Sequence, residues 1–340
     1  MKTICICGGG NLGHTVSGYI AAQGSYNVNI LTNHPEKWGH VLQTVLPGGS
    51  VIEGKLQTVS NNPAEVIPNA DIIFICLPGA YIREELTVIK PFLNSKAAVG
   101  TVVSSTGFFF QAHDILSNQS LFGFQRVPFI SRIEEYGHKA NLLGFKKSLN
   151  VCIENVANVE ALCKTLEEML GTPINLLNNF YEASLSNSNP LLHPSRLYTM
   201  WKDYKPGIFY KKQSYFYEEW TKEASQIYID MDKEFQSLLK VLPIREGSIP
   251  SVLDYYESTD CESLTSKIRS IEAFKRIKSP MVQTTKGWIP DLNSRYFTED
   301  FQYGLYFIRD IAIKKNIKLP HIETVCNWYS EVETQSKELL

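Results

Sequence analysis

The sequence predicts an α/β domain built on a doubly wound parallel sheet, followed by an all-α domain. Three observations predict it. A charge-free, β-leaning run at residues 3–7 leads straight into a glycine-rich stretch, KTICICGGGNLG over residues 2–13. Segments of strand and helix character then alternate to about residue 178, the pattern of a parallel sheet with crossover helices. From residue 180 strand-like runs nearly vanish, aromatic residues accumulate and helical spacing dominates. At 340 residues the chain is too long for one typical core. The expected domains are 1–178 and 179–340.

The glycines define the first site. Gly8, Gly10 and Gly13 stand at G-x-G-x-x-G spacing, and residues 14–22 read as a helix. A strand before this motif and a helix after it are the context a Rossmann dinucleotide site requires. Gly8 makes the tight turn, Gly10 lets a pyrophosphate approach bare backbone, and Gly13 lets the helix pack close to the strand. Asn11 and Leu12 share that turn, where unpaired N–H groups and the positive dipole end face an anion.

Residues 26–31 read as the second strand, and its end is where an NAD site usually places an acid for the ribose 2′-hydroxyl. Thr32 and Asn33 stand there instead, with His34 and Lys37 just beyond. Donors and positive charge suit a 2′-phosphate, so NADP(H) is expected over NAD(H). Glu36, beyond a proline, is poorly placed to bind ribose. Residues 48–54 look like a turn-rich link, 55–59 a short strand and 63–70 a helix. The clearest buried strand is 71–77. It ends at Leu77, Pro78 and Gly79, which are expected beside the cofactor because ligands bind beyond the carboxyl ends of such strands. A helix over 82–93, a strand over 97–103, a strand and loop within 121–133, a strand over 149–153 and a helix over 156–170 complete the domain. Arg126 and Arg132 could each hold a substrate carboxylate, although a surface role is the simpler reading.

Composition excludes several classes. A net charge of −2 gives no electrostatic reason for a nucleic-acid or anionic-membrane partner. No run approaches the ~18 apolar residues that span a bilayer. Seven cysteines form no C-x-x-C pair, and Cys5, Cys7 and Cys76 fall in buried strands, so no metal site is expected. With a strand starting directly after Lys2 and no signal peptide expected, the reading is a reduced, cytoplasmic protein acting on small molecules.

In the C-terminal half, helical spacing covers 214–241, 264–274 and 304–315. The aromatics of 198–228 read as core and interface, which allows a homodimer. Two stretches carry chemistry. In NSNPLLHP, Pro190 and Pro194 are expected to hold His193 on a rigid turn. In NSRYFTEDFQYGL, Arg295 and Asp300 stand five residues apart beside Gly304. An imidazole for proton transfer, a carboxylate to orient it and a guanidinium for a substrate carboxylate are what a reductive site needs.

Together, GGGNLG, NPLLHP and SRYFTEDFQYGL resemble the opine dehydrogenases, the octopine dehydrogenase-like family, over nearly the whole chain. The resemblance implies a helical opine dehydrogenase domain of the 6-phosphogluconate dehydrogenase-like type. It implies an enzyme that joins an amino acid's amino group to a 2-oxo acid and reduces the imine with NAD(P)H in a cleft between domains. Carried over, His193 and Asp300 are the proton-relay pair, and Arg295 holds the oxo-acid carboxylate. The amino-acid pocket matches nothing, so the product stays open. Two alternatives remain. Ketopantoate-reductase-like or 2-hydroxyacid dehydrogenases usually place a catalytic lysine early in the helical domain, whereas residues 180–200 contain none. A non-catalytic NADP(H) sensor would bind cofactor without turnover.

Overall fold

A computed structural model describes the backbone of residues 1–337 and the side chains of residues 1–335. It contains two compact units, Met1–Ser186 and Asn187–Leu340. The first unit begins with β1 (Lys2–Cys7), α1 (Asn11–Ala22), β2 (Tyr26–Leu31), β3 (Val41–Val45), β4 (Val51–Lys55) and β5 (Thr58–Ser60). Then come α2 (Pro63–Val66), β6 (Ile72–Ile75), α3 (Gly79–Ile89), β7 (Ala98–Thr101) and α4 (Phe108–Ile115). It closes with β8 (Ser120–Phe124), β9 (Phe129–Glu135), β10 (Lys139–Phe145), β11 (Leu149–Glu154), α5 (Val159–Leu170), β12 (Ile174–Leu176) and α6 (Phe180–Ser184).

The main sheet runs β12-β11-β8-β7-β6-β1-β2-β5. Its pairs are parallel except that β11 runs antiparallel to β8. Alternate residues of β1 feed opposite faces: Ile4 and Ile6 join one apolar core, Cys5 and Cys7 the other. Burial on both faces is why this strand reads as a charge-free run.

A second sheet, β4-β3-β10-β9, packs against α1 and was not legible as such in the sequence. The stretch expected as a link at 48–54 is the turn and second strand of the β3–β4 hairpin, and the strand expected at 55–59 divides between β4 and β5. The sequence VIEGK carries charges and a glycine because β4 is mostly exposed. Its Gly54 is needed for close approach to α1, since a Cβ there would lie 2.6 Å from that of Ala21. Residues 121–133 likewise belong to two sheets, β8 in one and β9 in the other.

The first unit reaches Ser186 rather than 178, because α6 buries Ala183 in the N-terminal core and packs Phe180 against it.

The second unit contains α7 (Asn189–Trp201), α8 (Lys222–Leu239), α9 (Val252–Tyr255), α10 (Cys261–Ser270), β13 (Met281–Thr284) and β14 (Gly287–Pro290). It continues with α11 (Arg295–Thr298), a π-helical segment (Phe301–Leu305), α12 (Tyr306–Lys314) and α13 (Pro320–Lys337). It is helical apart from the β13–β14 hairpin, which the expectation of an all-α domain did not include. The helix expected from 214 starts only at 222, where Thr221 caps it by accepting the Ala224 N–H.

The turn expected around His193 is instead the first part of α7. Pro190 occupies the first turn, where its missing N–H costs nothing, and Pro194 removes one hydrogen bond without ending the helix.

Candidate active site

In the first unit, Gly8 takes φ +116°, a conformation that favours glycine, and turns β1 directly into α1. A Cβ on Gly13 would overlap the carbonyl oxygen of Gly8. Around Gly10 there is nothing within 4 Å of where a Cβ would stand. The N-terminus of α1 has neither a side-chain cap nor an acid in its first turn. Its orphan N–H groups and dipole are therefore free for an anion. This bare cradle fits a dinucleotide diphosphate. Asn11 accepts the Ile133 N–H on Oδ1 at 2.8 Å, tying the cradle to β9, and Leu12 packs against the core.

At the carboxyl ends of β1, β2 and β6 lies a cavity of about 180 Å³ lined by Gly8, Thr32, Asn33 and Leu77, with Glu85 and Tyr136 closing its wall. Of the other residues expected there, Lys37 sits exposed on a short 3₁₀ turn outside the lining. Pro78 caps α3, and the buried Gly79 accepts from Gln111 Nε2 at 3.3 Å. Arg126 and Arg132 are exposed and donate to the carbonyls of Ser186 and Ser131. Neither Glu85 nor Tyr136 was foreseen. A half-buried acid on an otherwise apolar helix face is a signal for Glu85, whose carboxyl is pushed up by burial and held down in part by the Cys7 thiol. Tyr136 lies on the turn between β9 and β10, so only the second sheet brings it over the glycine loop.

His14 locks that turn in place. Its Nδ1–H donates to the Gly10 carbonyl at 3.0 Å, and Nε2 accepts the Gly137 N–H at 2.7 Å. Burial lowers its pKa from the ordinary 6.5. The native state then binds fewer protons than the unfolded state between the depressed value and 6.5, so this contribution is complete above 6.5 and is lost as pH falls. Calorimetry should show the first unit's melting temperature dropping between about pH 7 and about pH 5, with a visibly shallower drop in His14→Gln. Parallel pH profiles for the two proteins would refute this.

In the second unit, the imidazole of His193 is buried. Nδ1 meets Asp300 Oδ2 at 2.7 Å across 107 positions of sequence. Nε2 meets the Tyr217 hydroxyl at 2.8 Å. Two local features build this cluster. Gly304, in the π-helical segment after Asp300, packs on the first turn of α7 so closely that a Cβ would stand 2.6 Å from Pro190 Cγ. Arg196, one turn along α7 from His193, donates to the carbonyls of Phe216 at 3.1 Å and Glu219 at 2.7 Å. It thereby holds the loop that presents Tyr217, and its own burial lowers its pKa to about 10. The ring of Tyr296 packs edge-on against His193, with centroids 4.4 Å apart.

Beside Tyr296, Arg295 opens α11 with an exposed side chain that makes no hydrogen bond or ion pair among the described residues. The structure thus joins His193 to Asp300 and leaves Arg295 on the adjacent surface. Tyr217 and Tyr296 were hidden in the sequence among many aromatics. Lys202 pairs with Glu223 at 2.6 Å on the surface.

Residues 176–333 match the family described as NAD/NADP octopine/nopaline dehydrogenase, alpha-helical domain. An opine dehydrogenase from Haliotis discus hannai is 24% identical over 319 residues, covering 84% of this chain and 78% of that protein. The chain is thus similar to opine dehydrogenases, in its helical part by the family match and along most of its length by these relatives. An octopine dehydrogenase from Mizuhopecten yessoensis is 28% identical over 216 residues, 58% of this chain and 54% of its own length. Among solved structures, an octopine dehydrogenase with NADH and L-arginine superposes with TM-score 0.84 at 23% identity, covering 97% of this chain and 89% of that one. These matches support an NAD(P)-dependent dehydrogenase. No described helix is long and apolar enough to cross a membrane.

Proposed function

We propose that the protein reductively couples the amino group of an amino acid to a 2-oxo acid, with NADP(H) preferred over NAD(H), in the cytoplasm. The observation that carries this reading is the buried His193–Asp300 hydrogen bond with an unpaired, exposed Arg295 close by in sequence. A guanidinium binds a carboxylate bidentately, so Arg295 fixes the oxo acid by its carboxylate. The amine nitrogen then adds to the carbonyl carbon, and His193 supplies the proton with which the oxygen leaves as water. Asp300 holds the Nδ1–H, which sets the tautomer and stabilises the imidazolium. The glycine cradle would hold the diphosphate of NAD(P)H, and Thr32 and Asn33 its adenosine ribose; the bound cofactor would supply the hydride that reduces the imine carbon. Glu85 is the one acid in the wall of that cavity, and burial raises its pKa from 4.5 while the Cys7 thiol partly offsets this.

The deciding experiment is a cofactor-oxidation screen of amino acids against pyruvate, glyoxylate and oxaloacetate, with NADPH and NADH in parallel. Amine-dependent oxidation of cofactor is expected. Equal oxidation without amine would favour a ketopantoate-reductase-like or hydroxyacid dehydrogenase, and binding without turnover a sensor. A higher kcat/KM with NADH would remove only the NADP(H) preference. Arg295→Ala should raise KM for the oxo acid by at least about tenfold, the loss of a charge-assisted pair worth about 1.5–3 kcal/mol, with little change in KM for the amino acid. An effect confined to the amino acid would overturn that assignment.

A further inference from the structure

Both ring nitrogens of His193 are engaged within the helical unit. With Asp300 accepting from Nδ1–H, Nε2 is an acceptor and the Tyr217 hydroxyl donates to it. His193 and Tyr217 are both buried, and the Tyr217 hydroxyl occupies Nε2 at 2.8 Å, so a proton leaves or reaches Nε2 through the phenol. The phenol is also held still. Its ring stacks on Phe274 at 4.1 Å and lies parallel to Trp220 at 6.3 Å, and Arg196 grips the carbonyls of Phe216 and Glu219 to either side. The hydroxyl of Tyr217 interacts in turn with that of half-buried Tyr296. Burial raises the pKa of both phenols, which therefore stay protonated at neutral pH.

We propose that Tyr217 conducts the proton between His193 and the reacting group, with Tyr296 as the outlet. The proposal rests on His193 being the acid–base group. In the forward direction the Nε2–H bond of the imidazolium breaks as that proton joins the Tyr217 oxygen. The proton formerly on Tyr217 passes to the Tyr296 oxygen, and that of Tyr296 passes to the departing hydroxyl, which leaves as water. Each phenol ends neutral, and the imidazole has lost one proton.

Tyr217→Phe keeps the stacked ring and deletes only the hydroxyl. With the amino acid that proves active on pyruvate, kcat is expected to fall about 10²-fold or more while KM for pyruvate stays within about twofold. Proton inventories in mixed light and heavy water should be curved for the wild type and linear for the variant, and added imidazole should restore part of the rate. Tyr296→Phe, which leaves the Tyr217–His193 bond in place, should show the same loss and the same rescue. A merely structural role would lower the melting temperature without changing the inventory or admitting rescue, and would overturn the proposal. Wild-type kcat in Tyr217→Phe, alongside a dead His193→Ala, would sink the relay and leave the function standing. Absence of turnover with every pair in the wild type would sink both.

Discussion

His193→Ala is expected to lower kcat about 10²- to 10⁴-fold, the usual worth of a positioned acid–base group, while NADPH affinity measured by fluorescence stays near wild type. The two effects separate because His193 lies in the helical unit and the glycine cradle in the other. The substitution also leaves Asp300 and the Tyr217 hydroxyl without their imidazole partner. A loss of about 1–3 kcal/mol in the second unit's stability is therefore expected as well. Turnover within a few-fold of wild type would remove His193 from the reaction. His193→Gln, which keeps a polar side chain there, should be equally inactive if proton transfer rather than packing is what the imidazole provides.

Gly13→Ala is expected to raise the Kd for NADPH at least about tenfold and to lower the first unit's melting temperature. The added Cβ overlaps a backbone oxygen, that of Gly8, so no rotamer relieves it and the strand and helix must separate. Overpacking of this kind costs about 1–3 kcal/mol, and about 1.4 kcal/mol is a tenfold change in affinity. Gly10→Ala provides the contrast. Nothing stands within 4 Å of its Cβ, so the fold should melt as wild type, and only a diphosphate seated on the cradle would feel the methyl group. If NADPH binds Gly10→Ala normally, the diphosphate does not lie where the cradle places it.

The glycine turn and the central strands were readable because their causes are local. A strand buried on both faces must be apolar throughout, and a turn at φ +116° favours glycine. The second sheet was not readable, because β3 meets β10 across nearly a hundred residues and the half-exposed strands β4, β9 and β10 carry charges like loops. His193, Asp300 and Arg295 drew attention as residue types near helix breakers, yet the reason given for His193 was wrong, since Pro190 and Pro194 lie within a helix.

By itself, then, the sequence determined the α/β and helical division, the bare-backbone anion cradle and the side chains able to move a proton or grip a carboxylate. Tertiary structure alone decided which of them meet. The His193–Asp300 bond depends on Gly304 letting a π-helical segment press on Pro190, and the Tyr217 contact on a guanidinium holding a loop by its carbonyls. Such contacts depend on close packing between segments remote in sequence, which neither periodicity nor residue spacing encodes.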